Sequence, residues 1–369
     1  MRVFQMGSAL GYGDAVTNHM LALDRLLRGW GLETALYGHQ VEPRLGDAAQ
    51  LDSAYRDDDP NDLLIYHYSV YCSNIDLFRR SRHRKIVVYH NITPAHFYRP
   101  YDPFMEAVCN QGRAVLPLLR ECELGVGVSE YNRRELVEAG FAPERTAVLP
   151  ILLDQDAFAS VRRDEKVFRR LSQSKGANLL FVGRGAPNKA HADLLTLLAA
   201  VREGVDPHAH LWLVGSRFLP RYDAMLDRLA RRLGIAEAVT FTDRVSLGEL
   251  KAYYEGGSVF VCASQHEGFC VPLLEAMGAG LPILARAAAA VPDTLGQSGV
   301  LYHAADYGVL AETVGLLVED EGLRGKVVAG QRRRLADFAP DRVAEQTRQL
   351  LLSLGVPLPA PTSLTEFTE

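Results

Sequence analysis

The chain has 369 residues, with 45 acidic and 40 basic side chains, so it is long enough for two domains and is nearly balanced in charge. A balanced charge gives no general basic field, so we expect no nucleic-acid partner. We also expect a cytoplasmic protein, because no apolar run reaches the length of a membrane span and the N-terminus lacks a signal-peptide pattern. The five cysteines, an odd number without paired spacing, suit a reducing compartment and form no metal-site pattern.

Short apolar runs alternate with helical patterns along most of the chain. The first half predicts strands at Arg2–Met6, Glu33–Tyr37, Asp62–His67, Lys85–His90, Glu123–Val128 and Thr146–Leu149. Helical patterns between them include Ala15–Arg28 and Met105–Glu121. Alternation at this spacing predicts parallel sheets that are covered by helices on both faces.

The second half repeats this alternation. Its predicted strands are Leu179–Val182, His210–Val214, Val239–Phe241, Val259–Cys262, Pro282–Ala285 and Val300–Tyr302. Its predicted helices are Lys189–Glu203, Tyr222–Leu233, Leu247–Glu255 and Tyr307–Glu319. Two sheets of this kind predict two Rossmann-like α/β domains, which bind ligands at the carboxyl ends of their strands.

The predicted domain boundary lies near Pro150, where a strand ends in Pro-Ile-Leu-Leu-Asp. We therefore assign residues 1–150 to an N-terminal domain and residues 157–338 to a C-terminal domain. Residues 357–369, rich in proline at their start, predict a loose tail.

The most informative stretch joins two apolar strands between Cys262 and Leu284. Glu267 lies in the loop after the first strand, and Glu275 follows eight positions later in a helix predicted from about Pro272. A helix N-terminus offers free N–H groups and positive dipole to an anion, and a nearby carboxylate can accept hydrogen bonds from hydroxyl groups. Phosphates and hydroxyls together describe a sugar nucleotide.

This stretch resembles the Glu-x7-Glu signature of retaining, nucleotide-sugar-dependent glycosyltransferases of the family 4 type, which have the GT-B fold. The resemblance implies two Rossmann-like domains facing a central cleft, with the acceptor on the N-terminal side and the donor on the C-terminal side. It also implies that the helix at 342–354 packs back on the first domain. By the same resemblance, Glu267 and the amides of Gly268, Phe269 and Cys270 hold the donor sugar, and Glu275 holds the ribose.

A basic pair follows the first strand of the second domain, in Val182-Gly183-Arg184 and then Lys189. An Arg and a Lys at a strand-to-helix turn can neutralise a diphosphate. The pair resembles the family's Val-Gly-Arg…Lys-Gly element, which implies that Arg184 and Lys189 stabilise the leaving diphosphate near Gly183. Ala190 stands where the family commonly has Gly.

Two further loops are candidates for the same donor site. The loop at Thr242–Val245 resembles the one that contacts the nucleotide base through backbone groups, so Arg244 and Val245 are candidates. Gly215 closes the strand at His210–Val214 and is expected to contact the donor. Because backbone groups would make these contacts, the sequence does not identify the base. UDP-linked and GDP-linked sugars are therefore both possible donors.

In the first domain, Gly11 and Gly13 lie between the opening strand and a helix, and we place them near the donor phosphates. Asp14 either caps that helix or contacts a hydroxyl of the acceptor. The resemblance implies that His90, after the strand at Lys85–Tyr89, contacts the donor sugar. His67 is a weaker candidate, assigned to the acceptor.

The one basic cluster, Arg79–Lys85, could contact an anionic membrane surface, but a solvated turn is the favoured interpretation. After the strand that contains Ile283, the family often shows Gly-Gly-x-Pro-Glu. At residues 287–293 this chain reads Ala-Ala-Ala-Ala-Val-Pro-Asp instead. Contacts in this loop are therefore expected to differ.

The resulting prediction is a metal-independent, retaining hexosyltransferase that needs no cofactor and acts on a saccharide or glycolipid hydroxyl, in cell-surface polysaccharide or glycoconjugate synthesis. Its catalytic candidates are Arg184, Lys189, Glu267 and His90. A sugar-nucleotide epimerase of the same fold and a non-catalytic sugar-nucleotide-binding module are the alternatives. A nicotinamide dehydrogenase is weaker, because Val16 replaces the third glycine of its fingerprint.

Overall fold

The computed structural model describes residues 1–153 and 155–359, except for the side chains of residues 155–157. The chain folds into two compact units. The first unit holds residues 1–92, 111–153 and 338–359, and the second holds residues 93–110 and 155–337. Most of the predicted tail, from residue 360 onward, lies outside the described residues, as does residue 154, between the two predicted domains.

The first unit contains a seven-stranded sheet in which every pairing is parallel. Its order is β3-β2-β1-β4-β5-β6-β7. Its strands are β1 (Arg2–Leu10), β2 (Glu33–Val41), β3 (Gln50–Leu51), β4 (Leu63–Tyr68), β5 (Arg84–Tyr89), β6 (Leu124–Gly127) and β7 (Thr146–Val148). All six residues of the central strand β4 are buried, as expected for a parallel sheet covered on both faces.

The second unit contains a six-stranded parallel sheet in the order β10-β9-β8-β11-β12-β13. Its strands are β8 (Asn178–Val182), β9 (His210–Val214), β10 (Val239–Phe241), β11 (Val259–Cys262), β12 (Ile283–Arg286) and β13 (Val300–Tyr302). The order reverses between β8 and β11, because β8 pairs with β9 on one side and with β11 on the other. Such a reversal is where doubly wound sheets bind ligands.

Fourteen α-helices accompany the two sheets in the described part of the chain. They are α1 (Ala15–Gly29), α2 (Ile75–Arg80), α3 (Pro103–Val115), α4 (Glu130–Glu138), α5 (Gln155–Ser160), α6 (Glu165–Ser172), α7 (His191–Gly204), α8 (Pro220–Arg232), α9 (Leu247–Gly256), α10 (Val271–Gly278), α11 (Val291–Leu295), α12 (Tyr307–Glu319), α13 (Glu321–Leu335) and α14 (Pro340–Ser353). Of the helices that the structure describes, none is both long and apolar enough to cross a bilayer. The helix predicted at 342–354 is α14, and it belongs to the first unit, where Arg84 donates a hydrogen bond to the Leu354 carbonyl.

Several predicted boundaries were wrong; strand β2, for example, ends at Val41 and not at Tyr37. Strand β1 runs on to Leu10, four residues beyond its predicted end at Met6. Helix α3 ends at Val115 and not at Glu121, because Pro117 has no N–H to continue it and a short 3₁₀ turn follows. Lys189 lies in a 3₁₀ turn before α7, which begins only at His191.

Candidate functional site

The loops after strands β8 and β9 run against each other in the second unit. The N–H of Gly183 donates to the Val214 carbonyl at 2.9 Å, and the N–H of Gly185 donates to the Ser216 carbonyl at 2.9 Å. Gly215 has φ of 145°, and a Cβ there would overlap the Gly183 carbonyl oxygen. Only glycine fits this position, so the close approach of the two loops explains the residue.

An ion pair joins the loop after β8 to the loop after β11. The Nζ atom of Lys189 lies 2.5 Å from Oε1 of Glu267, and the Glu267 side chain is only 8% exposed. Burial, the largest single cause, lowers the pKa of Lys189, but Glu267 together with Cys270 and Cys262 outweighs it, so the pKa is raised above 10.5. Lys189 is therefore held as a cation at the point where both loops meet.

Asn188 ties the same two loops through its backbone and its amide side chain. Its Nδ2 donates to the His266 carbonyl at 2.9 Å, and its own carbonyl accepts from the N–H of Gln265 at 2.8 Å. The residue is 5% exposed. The sequence analysis did not select Asn188, although its position directly before the catalytic candidate Lys189 was a signal for it.

The segment from Glu267 to Cys270 forms a tight turn into helix α10. Cys270 adopts a left-handed conformation, with φ of 71°. Two hydrogen bonds hold the turn from outside: Thr294 Oγ1 donates to the Phe269 carbonyl at 2.5 Å, and Ala290 N–H donates to the Glu267 carbonyl at 3.3 Å. Pro272 has no N–H and the Leu273 N–H donates to the Cys270 carbonyl at 3.0 Å, so the attraction of this helix start for an anion or a polar sugar oxygen comes mainly from its positive dipole.

Two of the departures from the family pattern fall on left-handed backbone. Ala190 has φ of 52°, and Ala289 has φ of 48°. The backbone therefore keeps at both positions a conformation that glycine adopts without strain and alanine adopts at a cost of about 1 kcal/mol. Because Ala290 still holds the Glu267 carbonyl, the alanine-rich loop supports the turn without glycines.

Glu275 lies on α10 and forms a hydrogen bond with Tyr254, whose hydroxyl is 2.6 Å from Oε2. Burial raises the pKa of Glu275, and the hydrogen bond from Tyr254 opposes that shift. Tyr254 is 1% exposed. The sequence did not reveal it, because an aromatic residue on a predicted helix is usually a core residue.

Arg184 is exposed and is available to an anion. Its guanidinium lies 5.8 Å from the centre of the Phe218 ring, and no carboxylate within the described ranges pairs with it. Arg217, in the neighbouring loop, is instead paired with Asp223 and Asp227. Of these two arginines, Arg184 is thus the free cation.

Tyr98 is a further residue that sequence reasoning missed. It belongs to residues 93–110, which group with the second unit, and it is 4% exposed. Burial raises its pKa, while the positive charges of Arg184 and Lys189 lower it. Tyr98 is therefore close enough to interact electrostatically with Arg184 and Lys189, the two residues predicted to bind the diphosphate.

Arg244 and Val245 lie in the loop between β10 and α9. The N–H of Arg244 donates to the Asp243 carboxylate at 2.8 Å, and Ser246 and Glu249 form a reciprocal capping box at the start of α9. The Arg244 side chain is exposed. The cap fixes the loop, and contact with a nucleotide base stays a prediction.

In the first unit, Asp14 caps helix α1. Its carboxylate accepts from the N–H groups of Val16 and Thr17, both at 3.1 Å. Gly13 has φ of 79°, and the N–H of Gly11 donates to the Thr17 hydroxyl at 3.0 Å. The capping alternative for Asp14 thus has direct contacts, and roles of these residues in ligand binding stay predictions.

His67 and His90 are both buried, at 1% and 9% exposure. His67 Nδ1 lies 3.0 Å from His90 Nε2, and His67 Nε2 lies 3.0 Å from Gln5 Oε1. Both nitrogens of His67 are therefore engaged within the protein, which leaves it no free atom for an acceptor in this arrangement. His90 keeps Nδ1 without a hydrogen-bond partner in the described structure.

The basic cluster at Arg79–Lys85 is largely neutralised. Arg82 interacts with Asp57, Arg84 with Glu123, and Arg79 with Asp76. These contacts fit the predicted solvated turn better than a basic surface for a membrane.

Cys262, Glu267 and Cys270 are the residues of the donor-site candidate that could hold a metal ion, since their ligand atoms lie within 4.8 Å of one another. The Lys189 ammonium already lies against Glu267. Its positive charge repels a second cation, so these residues fit a metal ion poorly.

Comparison with known proteins finds similarity to one family over the segment that holds this second-unit site. The family model described as Glycosyl transferases group 1 matches residues 162–334. The D-inositol 3-phosphate glycosyltransferase of Geodermatophilus obscurus is 33% identical over 238 residues, which cover 62% of this chain and 52% of that protein. The GDP-mannose-dependent α-(1-6)-phosphatidylinositol monomannoside mannosyltransferase of Mycobacterium tuberculosis is 26% identical over 261 residues, which cover 65% of this chain and 66% of that protein.

The chain spans about half the length of several curated relatives that it matches. Among solved structures, Anabaena HepE in complex with UDP and glucose aligns with a TM-score of 0.75 and 16% identity, covering 96% of this chain and all of that one. The glycosyltransferase WaaG aligns with a TM-score of 0.70 and 15% identity, covering 94% and 99%. At these identities the structures establish the fold, which is GT-B. The glycosyl transferases group 1 family is thus the family that residues 162–334 of this chain match.

Proposed function

We propose that this protein is a retaining glycosyltransferase that moves a hexose from a nucleoside diphosphate sugar to a hydroxyl group of a saccharide or glycolipid. The observation that carries the proposal is the pairing of Lys189 with Glu267, in which Lys189 comes from the same loop as the exposed Arg184. The arrangement combines two cations for a diphosphate with a carboxylate for sugar hydroxyls. Glu275, with its carboxylate fixed by Tyr254, is the ribose ligand.

In the proposed reaction, the bond between the sugar C1 and the diphosphate oxygen breaks, and its electron pair stays on the diphosphate. Arg184, Lys189 and the N-terminus of α10 stabilise this developing negative charge. An acceptor hydroxyl attacks C1 from the same face, and its proton passes to the departing phosphate oxygen. Because Lys189 and Arg184 supply the positive charge, the reaction needs no metal ion.

His90, in the first unit, contributes a hydrogen bond to a substrate hydroxyl. The relatives' names support a donor of this class: one is GDP-mannose-dependent, and a solved neighbour binds UDP and glucose. Guanosine and uridine donors therefore both need testing. The names of relatives that act on inositol phosphate and phosphatidylinositol mannosides support a polar, glycoconjugate acceptor.

The test is a transfer assay with UDP- and GDP-linked hexoses and a panel of inositol, phosphoinositide and saccharide acceptors, with and without EDTA. Transfer that survives EDTA, and a product whose anomeric configuration matches the donor by NMR, supports the proposal. An inverted product contradicts retention. Conversion of the donor sugar to its epimer supports the epimerase alternative, and binding without any turnover supports the non-catalytic module.

A further inference from the structure

Three histidines form a buried cluster in the first unit. His19 lies on α1, His67 on β4 and His90 directly after β5, and each pair of ring centres is 5.3–5.5 Å apart. Burial lowers the pKa of His19 to about 4 and lowers the pKa values of His67 and His90 well below 6.5. All three rings are therefore neutral at pH 7, and each carries one N–H and one lone pair.

Hydrogen-bond directions fix which nitrogen of His90 carries the proton. The Met20 carbonyl can only accept, so Gln5 donates to it through Nε2 at 3.0 Å. Gln5 Oε1 then accepts from His67 Nε2, which leaves a lone pair on His67 Nδ1. That lone pair accepts from His90 Nε2, so the second nitrogen of His90, Nδ1, is a bare acceptor.

His19 has the opposite polarity. The N–H of Leu152 donates to His19 Nδ1 at 2.9 Å, so the His19 proton lies on Nε2. Neither His19 Nε2 nor His90 Nδ1 has a partner in the described part of the protein, and both are buried. The cluster thus offers one N–H donor and one lone-pair acceptor, which suits a neutral hydroxyl group.

The same directions argue against a metal ion, although the cluster's ligand atoms lie within 4.8 Å of one another. To bind a metal through Nε2, His19 would need its proton on Nδ1, where it would meet the Leu152 N–H. Two donors would then face each other in a buried place.

We propose that Gln5 and His67 are positioning residues that hold His90 as a hydrogen-bond acceptor for a substrate hydroxyl, an inference that rests on the proposed glycosyl transfer. Gln5 is fully buried and lies on β1, so the chain of hydrogen bonds crosses the centre of the sheet from β1 to β4 to β5. Among the residues that the structure describes, the titratable groups that perturb the pKa values of His67 and His90 are the other histidines of the cluster.

The test compares His67→Gln with His67→Leu. A glutamine can accept from His90 Nε2 and donate to Gln5, so His67→Gln preserves the chain of hydrogen bonds, whereas His67→Leu cannot. In long-range proton–nitrogen NMR spectra of the ¹⁵N-histidine-labelled full chain, we expect wild-type His90 to carry its proton on Nε2 at pH 6–8. His67→Gln should keep that pattern, and His67→Leu should lose it.

Turnover provides the second measurement. We expect His67→Leu to lower kcat by about 10- to 100-fold with little change in the KM of the donor, and His67→Gln to recover most of that loss. Wild-type His90 protonated on Nδ1 or charged at pH 7, or a wild-type kcat for a folded His67→Leu, would overturn the inference. If the wild-type protein transfers no sugar, the proposed function fails, and the NMR comparison still decides whether Gln5 and His67 set the His90 proton.

Discussion

Replacing Lys189 by methionine tests the ion pair at the centre of the candidate site. The change keeps an unbranched side chain only one atom shorter and removes its charge, so Glu267 is left buried without its counter-ion. Breaking a fully buried pair costs about 3–5 kcal/mol, and because the Lys189 side chain is 21% exposed we expect about 2–4 kcal/mol less stability. Loss of a charge that stabilises the leaving diphosphate should lower kcat by about 10²–10³-fold.

The assay combines urea unfolding with steady-state kinetics on the donor that the wild-type protein prefers. Glu267→Gln in the Lys189→Met background removes the unpaired carboxylate, so the double variant should regain about 1–3 kcal/mol of stability but not its turnover. Lys326→Met, on the exposed surface of α13, is the matched control and should change neither quantity. A Lys189→Met variant within twofold of wild-type kcat, at any stability, would refute the role assigned to Lys189.

Three other outcomes follow from the same contacts. Tyr254→Phe removes the hydrogen bond that opposes the raised pKa of Glu275, so we expect nucleotide binding to weaken by about 3- to 30-fold in calorimetry. Unchanged affinity would contradict the assignment of Glu275 to the ribose. Ala190→Gly relieves the strain of an alanine in left-handed conformation, so we expect the free energy of unfolding to change by no more than about 1 kcal/mol in either direction. Ala199→Gly, inside α7, should lower that free energy by about 1 kcal/mol. Equal losses in the two variants would contradict backbone strain at Ala190. Burial lowers the pKa of His19 to about 4, so its contribution to stability is present above pH 6.5 and is lost as pH falls. Buried His67 and His90 act in the same direction, so urea unfolding should show a loss of at least about 3 kcal/mol at pH 4, of which His19→Gln should remove about 3 kcal/mol.

Much of the fold could be predicted from the sequence, because parallel strands that are buried on both faces read as continuous apolar runs. Strands β9, β10, β11 and β13 and helix α12 have the bounds that the pattern predicts. The predicted α/β class and GT-B fold are confirmed. Strand β3 was missed because its two residues carry no pattern.

The candidate donor site was predictable to the extent that its residues lie close to one another in sequence. The sequence analysis proposed four residues as donor-site candidates because each lies near the end of a predicted strand or the start of a predicted helix: Glu267, Glu275, Arg184 and Lys189. Their partners were not identified: Tyr254 reaches Glu275 from another helix, and no local spacing reports that contact. Hydrogen bonds between distant segments set the environment of a side chain, and a single sequence does not contain them.

The histidine cluster was also only partly predictable from the sequence. The ends of strands β4 and β5 indicated His67 and His90, since the carboxyl ends of parallel strands lie together. His19 and Gln5 lay outside that reasoning, because one is on a helix and the other is in the middle of a strand. The three-dimensional contacts change His67 from a predicted acceptor contact into a buried partner of His90.

The most direct test of the central claim is a calorimetric titration of the purified chain with UDP, GDP and ADP and their common sugar conjugates, in magnesium and in EDTA. The account predicts that one nucleotide family binds, that EDTA leaves the affinity unchanged, and that Lys189→Met and Glu275→Ala weaken binding while Lys326→Met does not. Absence of binding by every nucleotide, or affinity that disappears in EDTA, would contradict a metal-independent donor site built from Arg184, Lys189, Glu267 and Glu275.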